Sequence, residues 1–371
     1  MRFIAPTDRD VLGQPQRVGT YTVKNMVSIL SYSEIDKAEW GALVGSAETA
    51  TWFQTEAAYL FFASLPTMMR PFAYGVAEDG VLKGVVVGFV TVEQSRWRQF
   101  FTRRAIINGG PLLAEDISTE ALRLLLGRLR EEVSKEAIYI EMRNFNDYSR
   151  WKDSFEACGF AYQPHLNFHL DCSEEAVIQR NMHESRRRQV RKGLASGAVI
   201  EEAKTEQEVR DFYRILEQLY RRKVKTPLFG LEFFLAFFRQ GRGTGDAGVS
   251  SAVKSKYLLV KFEGKVIGGM MCPILEGRTI YEWYVCGLDE PYREQHPSVL
   301  ATYAAMQYAA EHGLPRFDFM GAGKPEEDYG VRAFKAQMGG QLVEQGRFLL
   351  IAKPLLYWIG VLGVAWLRRK R

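Results

Sequence analysis

The chain has 371 residues, of which 47% are hydrophobic and 13% aromatic, with a formal net charge of +5. The length fits two domains of roughly 100–200 residues each, and the composition is that of a globular protein with a large core, not of a disordered chain. A charge of +5 suggests an anionic partner but does not select between phosphate, nucleic acid and a membrane surface.

Cysteine spacing and the N-terminal sequence restrict the setting. The four cysteines lie far apart and form no CxxC pair, so the sequence predicts neither a zinc site nor a disulfide framework, and a reducing compartment is expected. Residues 1–25 lack an apolar run and are predicted to be a loosely ordered N-terminus, not a signal peptide.

Residues 26–170 are predicted to form a first α/β domain. Two β-branched runs with a turn at Glu78-Asp79-Gly80 indicate a hairpin. A helix is expected at about 117–134, with Ser118 as its N-cap. The strand "AIYIEMRNF" and the segment "WKDSFEACGF" follow.

Residues 171–353 repeat this order and are predicted to form a second domain. A hairpin turns at Glu263-Gly264 and is followed by a strand "TIYEWYVCGL", a helix "SVLATYAAMQYAAEHG", a strand "RFDFMG" and the turn "AFKAQMGG". An internal repeat of roughly 100 residues predicts two tandem α/β domains of the same kind, each a mixed sheet with helices packed on it.

Residues 354–371 combine an apolar stretch with a cationic end. The stretch from Pro354 to Leu367 is shorter than the ~20 residues that a membrane-spanning helix needs. Two interpretations remain open for it. The segment is either a helix that closes the core or an interfacial helix whose basic end contacts anionic lipid.

A basic cluster lies between the two predicted units, in "NMHESRRRQVRKGLASG". It is either a solvated helix face or an oxyanion clamp, since guanidinium groups bind phosphate and carboxylate bidentately. No aromatic residues alternate with the charges, so sequence-specific nucleic-acid recognition is not indicated. The cluster comprises Arg186, Arg187, Arg188, Arg191 and Lys192.

The order of elements suggests an acyl-transfer fold, whose CoA-dependent members hold a pyrophosphate at a helix N-terminus through a glycine-rich turn. Here the second unit has "LDEPYREQHPSVLA", which lacks glycine and in which Pro297 removes an amide donor. In the first unit, "NGGPLLAEDISTE", the glycines are followed by a proline and then by Glu115 and Asp116. Neither turn is predicted to bind CoA.

Lys335 and Lys324 are the candidate site lysines of the second unit. "GVRAFKAQMGG" predicts a helical turn with an apolar stripe of Val331, Phe334 and Met338, beside which Lys335 lies. A solvated lysine and a catalytic cation are both possible at that position. Lys324 follows a strand end, where ligands often bind in α/β sheets.

Together, the basic cluster, the motif "RFDFMGAG" and the string "YGVRAFKAQMGG" resemble the FemABX family of peptidoglycan bridge-forming aminoacyltransferases. The resemblance runs from about residue 51 to 353. It implies two tandem GNAT-like domains, and aminoacyl-tRNA as acyl donor with no cofactor. It implies that Lys335 and its neighbour Phe334 assist transfer, and that Arg187, with Arg188 as the alternative, holds an acidic group of the precursor.

Three departures from the family pattern stand out. The segment "FQTEAAYLFFASL" offers no second precursor-binding cation. The short loop "GRGTGDAGVSS" stands where some members insert a long helical arm, and Met338 stands where an aromatic residue is common.

The resemblance thus predicts an aminoacyltransferase that modifies the stem peptide of a lipid-linked or nucleotide-linked peptidoglycan precursor in the cytoplasm, with possible peripheral contact at the inner membrane face. Arg191 and Lys324 are further candidates for substrate binding. The alternatives are an acyl-CoA-dependent N-acyltransferase of the same fold, acting on a cell-surface sugar or lipid, and a non-catalytic precursor-binding protein.

Overall fold

The computed structural model describes residues 26–92, 102–224, 227–243, 253–327 and 330–369. The predicted loosely ordered N-terminus and most of the loop at 241–251 lie outside these ranges. The strands are β1 (Val27–Ser31), β2 (Met69–Glu78), β3 (Val81–Thr91), β4 (Arg104–Gly109), β5 (Leu112–Leu113), β6 (Tyr139–Asn144), β7 (Ala161–Gln163), β8 (Leu166–Asp171), β9 (Val199–Glu202), β10 (Val253–Phe262), β11 (Lys265–Leu275), β12 (Thr279–Tyr281), β13 (Tyr284–Gly287), β14 (Arg316–Asp318), β15 (Gln341–Glu344) and β16 (Arg347–Ile351).

The helices alternate with these strands. They are α1 (Lys37–Ser46), α2 (Glu56–Ala63), α3 (Thr119–Glu136), α4 (Lys152–Ala157), α5 (Glu175–Asn181), α6 (Glu184–Ala195), α7 (Glu206–Leu219), α8 (Leu231–Gly241), α9 (Pro297–Glu311), α10 (Val331–Gln337) and α11 (Pro354–Arg369). Short 3₁₀ turns occur at Trp52–Gln54 and Ser149–Trp151, and a π turn at Tyr220–Val224.

The strands form two mixed sheets of eight strands each, which confirms the predicted α/β class. The first sheet has the order β1-β2-β3-β4-β6-β16-β7, with β5 beside β3. The second has the order β15-β8-β14-β12-β11-β10-β9, with β13 beside β11. Each sheet contains a parallel pair connected through a helix, β4–β6 through α3 and β12–β14 through α9.

The two predicted hairpins have the same geometry. In each, both turn residues are left-handed, at φ 49° and 81° for Asp79-Gly80 and φ 49° and 73° for Glu263-Gly264, which matches the twist of the paired strands. Each pairing also shifts register two residues before its first strand ends, at Val76/Ala77 and at Val260/Lys261. The shared turn and bulge support the internal repeat at the level of structure.

Helix α3 illustrates how the sequence dictates an element. Ser118 caps it by accepting a hydrogen bond from the backbone N–H of Ala121, as predicted. Its buried apolar side chains recur at helical spacing and pack on the first sheet; they are Ala121, Leu122, Leu125, Leu126, Leu129 and Val133.

Two strands lie in the sheet of the opposite half of the chain. β8 pairs with β14 and β15 in the second sheet, so the predicted division at residue 170/171 falls inside this strand. β16 comes after the whole second unit, yet it lies between β6 and β7 of the first sheet. The exchange ties the two units together through backbone hydrogen bonds.

An aromatic cluster joins the same two units. Trp283 of the second unit contacts Trp52, Phe53 and Phe61 of the first, with ring centroids 5.8, 4.9 and 5.9 Å apart. Phe237 also packs against Trp52, at 5.8 Å. These rings belong to one hydrophobic core across the junction, against which the half-buried Trp283 packs.

The segment "TIYEWYVCGL", predicted as one strand, is interrupted at Glu282 and Trp283. β12 ends at Tyr281 and pairs with β14, whereas β13 begins at Tyr284 and pairs only with β11. At the break, the N–H of Glu282 donates to the carbonyl of Asp318, and the N–H of Trp283 to that of Met271. The prediction of a continuous strand was wrong, because the chain breaks at Glu282 and directs the side chain of this residue into the protein interior.

The C-terminal helix α11 leaves a large apolar surface uncovered. Leu355, Trp358 and Leu362 are 82%, 58% and 67% exposed. A helix that closed the core would bury these side chains, so that interpretation is not supported. Among the described residues, no helix combines the length and the apolar character required to cross a bilayer.

Candidate functional site

The helical turn α10 places Lys335 inside the protein. Lys335 is 6% exposed and Met338 fully buried, whereas Phe334 is half-buried and Val331 is 42% exposed. The predicted apolar stripe is therefore only partly correct. The lysine occupies a buried position that the pattern assigned to the apolar residues, and the solvated-lysine interpretation does not hold.

Three oxygens surround the Lys335 ammonium. Its Nζ donates to the backbone carbonyls of Phe319 and Gly321, each at 2.8 Å, and lies 3.1 Å from Oε1 of Glu282. An ammonium has three N–H donors and no acceptor, so the three oxygens engage all of them. Lys335 thus fixes the turn at residues 319–321 from its carbonyl side.

Glu282 is the acidic partner of this lysine. Burial raises the pKa of the Glu282 carboxyl above its usual range, and the neighbouring Lys335 offsets this only in part. Oε2 of Glu282 is buried and has no hydrogen-bond partner among the described residues. The carboxyl that pairs with the Lys335 ammonium therefore has one buried oxygen, Oε2, without a described hydrogen-bond donor.

The amide side of the same turn is held by β8 and β14. Oδ1 of Asp318 accepts from the N–H of Met320 at 2.7 Å and from Nδ2 of Asn167 at 2.8 Å. Oδ1 of Asn167 accepts from the N–H of Gly321 at 2.7 Å. Met320, at φ 55°, and Gly321, at φ 129°, are both in the left-handed half of conformational space, so these bonds hold a backbone shape that is costly for methionine.

His169 lies beside Asn167 and Asp318, and we call these three side chains the polar row. Nε2 of His169 lies 3.1 Å from Oδ2 of the fully buried Asp318. Burial acts to raise the pKa of the Asp318 carboxyl, but the neighbouring His169 ring, the positive charge of Arg316 and the hydrogen bond from Asn167 hold it below its usual range. The carboxyl is consequently an anion that hydrogen bonds to the turn.

Sequence reasoning missed Glu282, Asp318 and His169 as site residues. Each is a titratable residue flanked on both sides by hydrophobic residues, in "TIYEWYVCGL", "RFDFMG" and "NFHLD". A titratable group inside a buried strand has to be paired. That rule, applied to the three segments, would have indicated that they meet.

The predicted arginines Arg187, Arg188 and Arg191 lie on α6, not on the helix α10 that carries Lys335. Arg187 donates from Nη1 to the carbonyl of Gln179 in α5 at 2.7 Å, and Arg188 and Arg191 are exposed. Instead, Arg186 contacts α10: its Nε and Nη2 donate to Oε1 of Gln337, and its guanidinium lies 4.8 Å from the ring centroid of Phe334. The cluster thus flanks the lysine-bearing helix through a member that was not singled out.

Lys324 lies on the loop after β14 and is exposed. Its backbone carbonyl accepts from Nη2 of Arg332 at 2.7 Å, which ties the loop to α10. Lys324 therefore lies on a loop that is attached to the helix carrying Lys335.

A small cleft opens between the two sheets next to the turn at 319–321; we call it the junction cleft. Gly321 and Asn167 line it from the second sheet, and Asn144 and three charged or titratable side chains line it from the first. Those three are Arg143, His165 and Arg347. Gly321 links the cleft to the lysine, because its carbonyl accepts a hydrogen bond from Nζ of Lys335.

A half-buried carboxylate, that of Glu141, organises the first-sheet wall of this cleft. Glu141 accepts from Nε and Nη2 of Arg143 and, at 2.6 Å, from Nη1 of Arg347. Burial opposes ionisation, yet the two arginines lower the pKa of Glu141 to about 2. Nη2 of Arg347 lies 2.8 Å from Nε2 of His165; since arginine only donates, Nε2 accepts. Burial and the arginines lower the pKa of His165 to about 4.

Carboxylates occupy both helix N-termini where this fold could hold a pyrophosphate. At α9, Asp289 accepts from the N–H of Ser298 at 3.0 Å and from its hydroxyl at 2.6 Å, and Pro297 offers no N–H. At α3, Glu78 accepts from the N–H of Ser118 at 3.1 Å. A side-chain anion at a helix N-terminus competes with a bound phosphate for the same amides.

The first helix of the structure begins before the segment "FQTEAAYLFFASL", which lacks a cation. α1 starts at Lys37 and is capped by Asp36, in "SEIDKAEW". Nζ of Lys37 donates to the carbonyl of Tyr32 at 2.9 Å, lies 3.6 Å from the centroid of its ring, and lies 3.5 Å from Oε1 of Glu56. A half-exposed cation is therefore present at the start of the first helix.

In the described part of the chain, no group of three or more His, Cys, Asp or Glu side chains is arranged to hold a metal ion.

The acetyltransferase (GNAT) domain family matches residues 180–335 of this chain, and no curated protein sequence matches significantly. Similar solved structures include FemX, with 17% identity and a TM-score of 0.67 over 90% of this chain and 99% of FemX. A tandem GNAT protein from the clavulanic acid biosynthesis pathway, without AcCoA, has 12% identity and a TM-score of 0.55 over 88% and 99%. L-PGS from Bacillus licheniformis has 13% identity and a TM-score of 0.52 over 90% and 97%.

The likeness to FemX covers both halves of the chain. The protein is therefore FemABX-like in fold, with two tandem GNAT-like domains, and the predicted resemblance and fold class are confirmed. Lys335 is the last residue of the GNAT-domain match.

Proposed function

We propose that this protein is an aminoacyltransferase that moves an amino acid from aminoacyl-tRNA to the stem peptide of a peptidoglycan precursor. The observation that carries the proposal is the pair of carboxylates, Asp289 and Glu78, at the helix N-termini where CoA-dependent relatives would hold pyrophosphate. An acyltransferase fold without that phosphate site favours a donor other than acyl-CoA. The whole-length likeness to FemX supports an aminoacyl donor.

In the proposed reaction, the acceptor amine attacks the ester carbonyl carbon of the aminoacyl-tRNA. A C–N bond forms, the C–O bond to the ribose breaks, the amine loses a proton and the ribose oxygen gains one. Negative charge develops on the carbonyl oxygen, and a cation placed there in advance stabilises it; losing one such donor in other enzymes costs on the order of 10²–10³ in rate.

We assign the stabilisation of this negative charge to the Lys335 ammonium, with Phe334 as its packing neighbour. All three N–H groups of Lys335 are engaged, so the substrate oxygen has to replace one of them. The carbonyl of Gly321 is the candidate, because Gly321 lines the junction cleft and the other two partners are buried. The burial that surrounds Lys335 strengthens its interaction with a developing negative charge.

We assign the acidic groups of the precursor to cations on α6, on the loop after β14 and at the start of α1. We propose Arg187, with Arg188 as the alternative, together with Arg191 and Lys324, and we add Lys37 of the first domain. The acceptor is expected to be lipid-linked or nucleotide-linked, which places the reaction in the cytoplasm and at the inner membrane face.

The test is to incubate the purified protein with a lipid-linked precursor in detergent, adding either a mixture of charged tRNAs or acetyl-CoA, and to weigh the precursor by mass spectrometry. A tRNA-dependent gain of one amino-acid residue supports the proposal and identifies the amino acid. A gain of an acetyl group would establish the acyl-CoA alternative instead. No gain from either donor, together with retained precursor binding, would point to a non-catalytic binding protein.

A further inference from the structure

We propose that helix α11 binds the surface of an anionic lipid bilayer, lying in the interface without crossing it. The inference deepens the proposed function, since a lipid-linked acceptor would be presented at such a surface. Its evidence is the exposure and charge of the helix, which do not depend on which reaction the protein catalyses.

One face of α11 is apolar and uncovered. Leu355, Trp358, Ile359 and Leu362 follow the i, i+3, i+4, i+7 spacing of a single helix face. They are 82%, 58%, 52% and 67% exposed. We call these four residues the apolar stripe. Isolated exposed apolar residues are normal on a protein surface, but a contiguous row of them indicates a partner.

The opposite face of α11 rests on the first domain. Leu356, Tyr357 and Gly360 are half-buried, and the ring of Tyr357 packs edge-on against that of Tyr139 in β6, with centroids 5.4 Å apart. At the start of the helix, Nζ of Lys353 donates to the carbonyl of Lys135 at the end of α3. These contacts fix which side of the helix faces outward, so the stripe is presented by a supported helix.

The charges of the C-terminal segment itself have one sign. No acidic residue follows Glu344 in the sequence, whereas the apolar stretch ends in Arg368, Arg369, Lys370 and Arg371. Clustered cations next to an apolar helix are attracted to the negative potential of anionic lipid. Trp358 adds a side chain that prefers the boundary between headgroups and acyl chains. Apolar side chains and the adjacent cluster of positive charge together match an anionic bilayer surface.

Two other occupants fit the observations less well. A membrane-spanning helix needs ~20 apolar residues, and α11 is shorter than that and ends in cations. A second copy of this chain would place like charges close together. A stripe two helical turns long also offers much less than the roughly 800 Å² per partner that a stable dimer buries.

Vesicle co-sedimentation of the full-length protein tests the inference. We expect sedimentation with vesicles of phosphatidylglycerol and phosphatidylcholine in equal parts, little with phosphatidylcholine alone, and a loss at high salt because screening weakens the attraction. The triple variant Leu355→Ser, Trp358→Ser, Ile359→Ser should bind the mixed vesicles at least about tenfold more weakly, since apolar burial drives interfacial binding. Its thermal unfolding should be unchanged because these side chains are exposed.

Leu342→Ser is the matched control, since Leu342 is an apolar side chain, 52% exposed, on the distant strand β15; its vesicle binding should equal that of the wild type. Failure of the wild type to sediment with mixed vesicles, or equal binding by the triple variant, would overturn the inference. So would a dimer in solution that the triple variant dissociates. No precursor or tRNA is present in this assay, and the transfer assay in detergent needs no bilayer, so either proposal can fail while the other stands.

Discussion

Nζ of Lys335 lies 3.1 Å from Oε1 of Glu282, and both side chains are only 7% exposed. The pair links the short helix α10 to the break between β12 and β13. Because a buried charge that loses its partner cannot be solvated by water, removing either member alone is costly. The same lysine is proposed to stabilise the transition state, so its structural and catalytic contributions have to be separated by experiment.

Lys335→Met is expected to lower the free energy of unfolding by about 3–5 kcal/mol, the usual cost of breaking a buried ion pair. Burial raises the pKa of Glu282, so this carboxyl can take up a proton in the variant. A protonated Glu282 is no longer an unpaired charge, and the loss should therefore lie at the lower end of that range. Urea unfolding at neutral pH measures the loss, and single-turnover kinetics with a charged tRNA should show transfer reduced by about 10²-fold or more.

The double variant Lys335→Met/Glu282→Leu distinguishes the two contributions. Replacing both members of a buried pair with apolar residues is often neutral for stability, so most of the lost unfolding free energy should return. Transfer should stay low if Lys335 stabilises the oxyanion. If transfer recovers together with stability, the lysine has only a structural role and the catalytic assignment is wrong.

The neighbouring arginines are expected to affect different steps. Arg187→Met should raise the dissociation constant of the precursor about tenfold, the effect of losing one charged hydrogen bond, with little change in single-turnover rate. Arg186→Met removes the guanidinium that packs on Phe334 and holds Gln337, so it should lower the rate more than the affinity. Isothermal titration calorimetry and single-turnover kinetics measure the two effects.

Arg188→Met is the matched control for this pair, because Arg188 is exposed on the same helix. Unchanged precursor affinity in Arg188→Met, next to a loss in Arg187→Met, supports Arg187 as the binding residue. The reverse result would transfer the role to Arg188, and equal small losses in both would indicate only a general effect of charge.

Much of the fold follows from local patterns in the sequence. The two hairpins are specified by residues that adopt left-handed turns, and α3 by its N-cap and its heptad-like apolar face, so both were predicted near their observed positions. The internal repeat predicted two units of the same kind. These features depend on residues close together in the chain, which is why a single sequence reveals them.

Features that depend on distant residues were not predicted. Strand β16 pairs with β6 across more than 190 intervening residues, and no local pattern encodes such a partner. The polar row of Asn167, His169 and Asp318 likewise assembles from β8 and β14, which are neighbours in the second sheet although Asn167 and Asp318 are 151 positions apart in the sequence. Lys335 was a candidate from its position beside the apolar stripe and received a catalytic role from the family resemblance, whereas its burial became evident only from the placement of Glu282 and the turn at 319–321.

Asp289 provides a test of why CoA is not expected to bind. Asp289→Ala removes the carboxylate that accepts from the N–H and hydroxyl of Ser298, and the loss of such a cap typically costs about 1 kcal/mol of unfolding free energy. The wild type should show no heat of binding with acetyl-CoA in calorimetry. The variant should also show none, because Pro297 still lacks an amide donor; clear binding by the wild type would contradict the assigned donor class.

Acidification should weaken the junction between the sheets in two separate pH windows. The pKa of His165 is lowered from 6.5 to about 4 in the folded protein, first by burial and then by Arg347. Between these values the unfolded chain binds a proton that the folded protein does not, so stability falls as pH drops from about 6.5 to 4. The pKa of Glu141 is lowered from 4.5 to about 2 by Arg143 and Arg347, so its contribution is complete above about pH 4.5 and is lost towards pH 2.

Urea unfolding of wild type and variants across this range measures each window. Glu141→Gln should lose about 3 kcal/mol relative to wild type at neutral pH, since a pKa difference of about 2.5 corresponds to that free energy. This difference should shrink steadily below about pH 4.5, because the wild type loses the same contribution as Glu141 takes up its proton. His165→Gln should instead abolish the decrease in the free energy of unfolding between about pH 6.5 and 4. Glu263→Gln, at an exposed hairpin turn, should follow the wild type throughout. A Glu141→Gln deficit that stays constant with pH would show that the two arginines do not hold this carboxylate in its ionised form.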